Sequence, residues 1–558
     1  MRFRAGAAIK RRTGETTRIK PKTKNFTMKK KAWSVASVST LLVMIAIIIV
    51  VNLIGLRLFA RADLTDNKIY TLSDASKRLV SNLEDRLTVK AYFTRDLPPP
   101  YNANARYVND ALEDYRSYSN GHFHFEFIDP ADEEALEKEA QQYRVQPAQV
   151  NVVEKDNLQV KKVYMGLVLI YGDKHETIPI IQNVDNFEYE MTSTIKRLTA
   201  EKLPKIGFLG NFNTPDLGQE MRNATTALSR FYEVVPVNTM TGSELIPDDI
   251  DVLCIVQPET PFDDWTKFCI DQFIMRGGKV GWFMNKVNAD ASSSVATGIH
   301  LNIDDMTRKY GFSVADNLVT DAHASMINVQ SQQGFFMVRN LVRYPAFPEI
   351  RTFNSESQIV KDLQAVAMFF PSSVDTLTPV GGSVSFKPLM FSSDKSKVQR
   401  NSYDINPMNR ADASVFIDPP QMLGVSIEGT FGSFFEGKSV PVPADSNAMA
   451  PSIGILTSSP ETRMVVFGEG NFVQDQYMQG GSSNLILFLN SIDWLSQDSD
   501  LLTIRSREAA IRPLDPDISD QTKQTVKLAN LLGPPVLILL FGAYRWSARR
   551  NRRKGVTL

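Results

Sequence analysis

The chain has 558 residues, 43% of them apolar, and its 62 Lys+Arg balance 62 Asp+Glu to a formal charge of zero. That apolar content excludes a disordered chain, two cysteines exclude a disulfide scaffold, and the balanced total excludes a uniformly basic nucleic-acid binder. The zero hides a segregation. Residues 1–32 hold twelve Lys/Arg against Glu15 alone (+11), residues 545–558 hold six and no acid (+6), and residues 33–544 hold 44 basic and 61 acidic side chains (−17).

Just inside the first basic stretch, Trp33 to Leu56 is uncharged for 24 residues. As a helix that run reaches about 36 Å, enough for a bilayer core of roughly 30 Å. A signal peptide is the competing reading, because Ala60-Arg61-Ala62 has the small-x-small form of a cleavage site. The apolar run is too long for an ordinary signal core, so the segment is expected to stay as an anchor.

From Thr65 to Leu83 the pattern reads as a turn and a helix, with Ser73 as N-cap before Asp74. Strand and helix then alternate. The expected elements are a strand at Leu87–Thr94, a helix at Ala105–Tyr118, a strand at His122–Ile128 and a helix at Asp132–Tyr143. Strands near 149–154, 160–171 and 175–181 and a helix at Phe187–Leu198 follow. This order predicts a thioredoxin-like domain over 63–200. Thioredoxin chemistry needs Cys-x-x-Cys at the start of the first helix, where this chain has Tyr101-Asn102-Ala103-Asn104, so redox activity is excluded. His122, His124 and Glu126 alternate on a strand and share a face as metal ligands would, but a half-buried strand with one wet face has the same pattern, and no metal site is assigned.

Pro204 opens a second α/β region, expected over 203–510. Its strands are predicted at Lys205–Gly210, Tyr232–Val237, Asp251–Val256 and Lys279–Asn285, with helices at Gln219–Phe231 and Asp263–Met275. Near-continuous apolar strands such as Val252-Leu253-Cys254-Ile255-Val256 indicate a doubly wound parallel sheet. A β-rich insertion is expected over about 311–445, before a strand at Met464–Phe467 and a helix at Asn484–Leu495.

Catalytic motifs are missing from this region. Gly277-Gly278-Lys279 is followed by Val280 and lacks the leading glycine of a P-loop, so no ATP hydrolysis is expected. Cys254 falls inside a strand and Cys269 inside a helix, which suits buried thiols rather than nucleophiles. One polar constellation stands at the predicted strand ends: Asn211 and Asn213, Gln257 and Glu259, Asn285, and Glu469 with Asn471. Open α/β sheets bind ligands there, so a cleft for a small ligand or glycan is the candidate, although polar loops occupy such positions in any case. No catalytic, cofactor or metal residue is assigned.

A linker is expected over 511–527, followed by an uncharged run at 528–544 that contains Gly533-Pro534-Pro535. It reads as a second, kinked span, flanked by Trp546 and the terminal basic cluster. Both basic clusters lie on the outer flank of a span. The positive-inside rule therefore places both termini in the cytoplasm and the body outside the inner membrane, in the periplasm. The basic tails carry no regular aromatic interleaving for base stacking, so no nucleic-acid partner is expected.

Collinear with this plan are Asp63-Leu64-Thr65, Tyr70-Thr71-Leu72-Ser73, Phe127-Ile128-Asp129-Pro130, Phe187-Glu188-Tyr189-Glu190 and Lys205-Ile206-Gly207-Phe208-Leu209. Further along come Phe386-Lys387-Pro388-Leu389-Met390, Gly432-Ser433-Phe434-Phe435, Asn484 to Trp494, Arg505, Arg507 and Leu531-Leu532-Gly533-Pro534-Pro535. Together they resemble the GldG family of gliding-motility-type ABC-transporter auxiliary subunits, over about 33–546. The resemblance implies a non-enzymatic extracytoplasmic subunit of an ABC-2-type exporter, working with a separate permease and ATPase. It also implies that the second domain is a glutamine-amidotransferase-type α/β fold without the catalytic cysteine, as in related domains of intraflagellar transport proteins. The family brings no established catalytic residues. Residues 1–32 lie outside its pattern, so the start falls at Met1 or at Met28. An envelope-polymer hydrolase and a purely structural scaffold from membrane to envelope are the rival readings.

Overall fold

The structure, a computed structural model, describes residues 43–47 and 50, residues 71–496 apart from short stretches of which 444–453 is the longest, and residues 519–554. The chain divides into two compact units, Met1–Leu64 and Thr65–Leu558. In the first, residues 43–47 are helical and exposed; the rest of the expected 33–56 span, like the tail 1–32, lies outside the described residues, save residue 50.

In the second unit a helix at Asp74–Ser81 is capped as its sequence predicts, with Ser73 Oγ accepting from Ser76 N at 3.1 Å. Strands β1 (Leu87–Phe93) and β2 (Phe123–Ile128) pair in parallel around the helix Tyr101–Tyr118. This helix starts four residues earlier than expected, because Pro100 serves as the N-cap and the Tyr101-Asn102-Ala103-Asn104 segment forms the first turn. After the helix Glu134–Gln142 come the hairpin β3 (Ala148–Glu154) and β4 (Asn157–Val163), then β5 (Met165–Tyr171) and β6 (Lys174–Ile178). The predicted 160–171 strand is thus two strands. The sheet order is β2-β1-β5-β6, with β5 antiparallel to both β1 and β6. The helix Phe187–Thr199 closes the core by burying Phe187, Met191, Ile195 and Leu198 at the helical period.

The larger sheet begins with β7 (Lys205–Leu209), β8 (Glu233–Val237), β9 (Ile250–Val256) and β10 (Lys279–Phe283). Together with the strand Thr462–Phe467 these are parallel, in the spatial order β8-β7-β9-β10-Thr462–Phe467. Three more strands then add antiparallel: Met422–Thr430, Ser383–Phe391 and Thr352–Phe353. The sheet is therefore mixed, and the stretch expected as an insertion supplies three of its eight strands. Alternation alone does not reveal which sheet a strand joins, which is why they read as separate.

Each sheet face has its own core. Val252, Cys254 and Val256 pack with the helices Arg222–Leu228 and Asn484–Leu495, whereas Leu253 and Ile255 pack with the helix Asp264–Met275. The helix expected over Gln219–Phe231 is shorter, because Asp216 Oδ1 accepts from Gly218 N and Gln219 N and sets up a separate turn. The C-terminal helix runs from Asp520 to Lys554 with Pro534 and Pro535 inside it. It takes in the second half of the predicted linker 511–527; residues 511–518 lie outside the described residues. Its segment Gln521–Ser547 is long and apolar enough to cross a membrane, as the single such helix among the described residues.

Candidate functional site

The five parallel strands run in spatial order second-first-third-fourth-fifth, so the chain direction reverses between β7 and β9. That reversal is a topological switch point, where the loops leaving adjacent strands part to opposite faces and leave a crevice. The residues just beyond β7 and β9 carry unusual backbone: φ is +74° at Asn211, +54° at Asn213 and +42° at Gln257. Asparagine enters this left-handed region readily, whereas glutamine rarely does, so Gln257 is held there by its surroundings. Its N–H donates to Phe283 O at 2.7 Å.

A cleft of about 230 Å³ opens at this point, lined by Asn213, Gln257, Glu259, Asn471, Gln474 and Tyr477 among others. Asn213 Nδ2 donates to Glu259 Oε2, and Gln474 Nε2 donates to Gln257 Oε1. Asn471 is tied down from its other side, with Nδ2 donating to Phe369 O at 3.1 Å. Glu220 and Asn288 complete a polar wall without a basic side chain. Amide and carboxyl groups held by neighbours, with one aromatic ring beside them, suit hydroxyl-bearing guests and repel anions.

Of the seven strand-end residues picked out by sequence, four line the cleft: Asn213, Gln257, Glu259 and Asn471. The other three do not. Asn211 turns aside to donate to Asn238 Oδ1. Asn285 is fully buried and accepts from Gly470 N at 2.6 Å through Oδ1, leaving its Nδ2 without a partner among the described residues. Glu469 is fully buried, and both carboxyl oxygens accept from Phe472 N, at 3.1 and 3.3 Å. Desolvation pushes its carboxyl well above the usual range, against hydrogen bonds from Asn471, Phe472 and Phe369 that act the other way. Gly470 lets the strand-end loop close over it: a Cβ there would stand 2.5 Å from Phe283 O. Sequence reasoning missed Glu220, Asn288, Gln474, Gln476 and Tyr477, although the amide-rich run Gln474-Asp475-Gln476-Tyr477 was a signal.

His124 and Glu126 lie on an exposed face of β2, and among the described residues no group of three or more His, Cys, Asp or Glu is placed to hold a metal ion. Cys254 and Cys269 are both buried, and burial raises both thiols, that of Cys269 to about 12.

Residues 203–497, more than half of the chain, match the family model described as an ABC-type uncharacterized transport system. The chain belongs to this family. It is accordingly an auxiliary component of an ABC-type transport system, with transporter subunits as its partners in general terms. Residues 66–170 of this auxiliary subunit match a second model, described as a domain of unknown function. An uncharacterized protein of Borreliella burgdorferi is 22% identical over 505 residues, covering 88% of this chain and 94% of that protein. A solved structure described as "mmIFT52 N-terminal domain" aligns at a TM-score of 0.31 with 11% identity, over 52% of this chain and 97% of that one.

Proposed function

We propose that this auxiliary subunit is a non-catalytic, GldG-like extracytoplasmic component of an ABC-2-type exporter of the gliding-motility type. In this reading its two spans, 33–56 and 528–544, dock on a permease, both termini are cytoplasmic, and a separate ATPase supplies the energy. The thioredoxin-like domain 63–200 and the amidotransferase-like domain 203–510 stand in the periplasm and receive, gate or hand on the exported material. The observation that carries this is the switch-point cleft: a polar pocket without a basic side chain, in a chain that also has a helix long and apolar enough to cross a membrane and whose sequence lacks the P-loop motif.

The cleft is the element that meets cargo, and its amide and carboxyl lining favours a neutral, hydroxyl-rich group such as an envelope glycan. The test is purification of the full chain from detergent after cross-linking, with mass spectrometry of what is retained. A permease and an ATPase of the ABC type are expected; recovery of neither would sink the proposal. Partner ATPase turnover measured with and without this subunit separates a transport role from a scaffold, which leaves turnover unchanged. An envelope-polymer hydrolase draws on one observation, the two carboxyl groups Glu220 and Glu259 in a single cleft. Release of reducing ends from envelope polymer, lost in Glu259→Gln, would favour it instead.

A further inference from the structure

A second cavity, of about 300 Å³, lies where the four-stranded and eight-stranded regions meet. Its walls come from the end of β6, from the helix Phe187–Thr199, and from Arg230 and Phe231 just beyond the helix Arg222–Leu228. Two arginines, Arg197 and Arg230, line this space. Arg197 is oriented from behind by Glu176, which accepts from its Nη2 at 2.7 Å, and its Nε is buried with no hydrogen-bond partner among the described residues. Arg230 reaches in from the other region and is exposed to solvent.

The remaining polar groups leave the arginines as the donors. Ser193 Oγ donates to Glu190 O at 3.0 Å and Thr194 Oγ1 to the same oxygen at 2.6 Å, so both hydroxyl protons are committed to backbone. Glu190 is the single carboxyl group in the lining. Its burial discourages ionisation, and the Arg230 charge works against that shift. Ile178, Pro179 and Phe231 supply an apolar wall.

We propose that this cavity binds a small organic oxyanion, a carboxylate or phosphate, clasped between the guanidinium groups of Arg197 and Arg230, with its carbon skeleton against Ile178, Pro179 and Phe231. Guanidinium forks match such anions bidentately, and the cavity is of the size that small ligands occupy. Because Arg197 sits on the helix Phe187–Thr199 beside the four-stranded sheet and Arg230 follows the helix Arg222–Leu228 beside the eight-stranded one, an anion held by both ties those two regions together. The ligand class is opposite to that of the switch-point cleft, so the subunit carries two sites of complementary chemistry.

The charged groups facing the site are Glu190 and Arg197 on one helix, Glu176 on β6 and Arg230 across the junction. An anion competes with an ionised Glu190, so binding strengthens as pH falls and that carboxyl takes up its proton. The probe is inorganic sulfate, whose charge is constant over the range. It is titrated calorimetrically into the detergent-solubilised full chain at fixed ionic strength in chloride, at pH 5.5 and pH 8. Saturable binding is expected, tighter at the lower pH, and at least tenfold weaker in Arg230→Gln. Glu190→Gln should tighten binding at pH 8 and erase the pH difference, while Arg222→Gln, outside the cavity, should change nothing. Arg230 is exposed, so its substitution leaves folding intact and is the decisive variant. Absence of saturable heat in the unaltered protein, or equal affinity in Arg230→Gln, overturns the proposal.

Discussion

Asp271, fully buried in the helix Asp264–Met275, accepts a 2.7 Å hydrogen bond from the hydroxyl of Ser433, 162 residues further along the chain. The same carboxylate accepts from Tyr310 Oη at 2.6 Å and from Phe434 N at 2.7 Å. It thereby fastens the Gly432-Ser433-Phe434-Phe435 segment and the turn at Tyr310 to one helix.

Asp271→Ala removes the acceptor of Tyr310 Oη, Ser433 Oγ and Phe434 N, and of Gln272 Nε2, which keeps its bond to Leu456 O, so a loss of about 3 kcal/mol or more of stability is expected. Asp271→Asn keeps the shape and one acceptor and should cost less. Denaturant midpoints of the two variants check the ranking.

Gly470 has an ordinary φ of −129°, so Gly470→Ala meets no backbone penalty. Its cost is steric, since the new methyl would fall 2.5 Å from Phe283 O and 3.1 Å from Gln257 N. A destabilisation of about 1–3 kcal/mol is expected, with loss of whatever the switch-point cleft binds. Thermal melts and glycan titration of the same variant read the two effects.

Glu469 titrates far above its unfolded value because burial penalises its charge. Its stabilising contribution is fully present below the unfolded carboxyl value of about 4.3 and is lost as pH rises towards the folded one, since only the unfolded chain gives up the proton. Stability from this group therefore falls with rising pH. Glu469→Gln should flatten that slope, and comparing urea midpoints of the two proteins at pH 5 and pH 8 tests it.

Cys254 and Cys269 should resist thiol reagents in the folded protein, because burial blocks access and raises both thiols above their ordinary range. Both should label at once in denaturant. Stoichiometric labelling of the native protein at pH 8 would contradict the burial of the two side chains.

Much of this protein is legible in one dimension. The helix cap at Ser73, the apolar runs of β9 and β10, the buried cysteines and the C-terminal apolar helix follow from local period and charge, which neighbours in sequence determine. The charge segregation into basic ends and an acidic middle is likewise a property of sequence order. What only the tertiary structure decided is which distant pieces meet. Strands Ser383–Phe391 and Met422–Thr430 join the main sheet because Gly424 to Gly429 pair with Thr462 to Phe467, a register that no local pattern encodes. Asn285 and Glu469 carry the same polar signature at strand ends as Gln257 and Asn471, yet the loops fold the first two beneath the cleft and leave the second two lining it. Arg197 and Arg230 lie 33 positions apart and share a cavity only because the helix Phe187–Thr199 and the turn after the helix Arg222–Leu228 are brought together there. Side-chain alternation reports which face a residue takes; strand order and loop closure, set by long-range pairing and burial, determine whether that face meets solvent, core or a ligand.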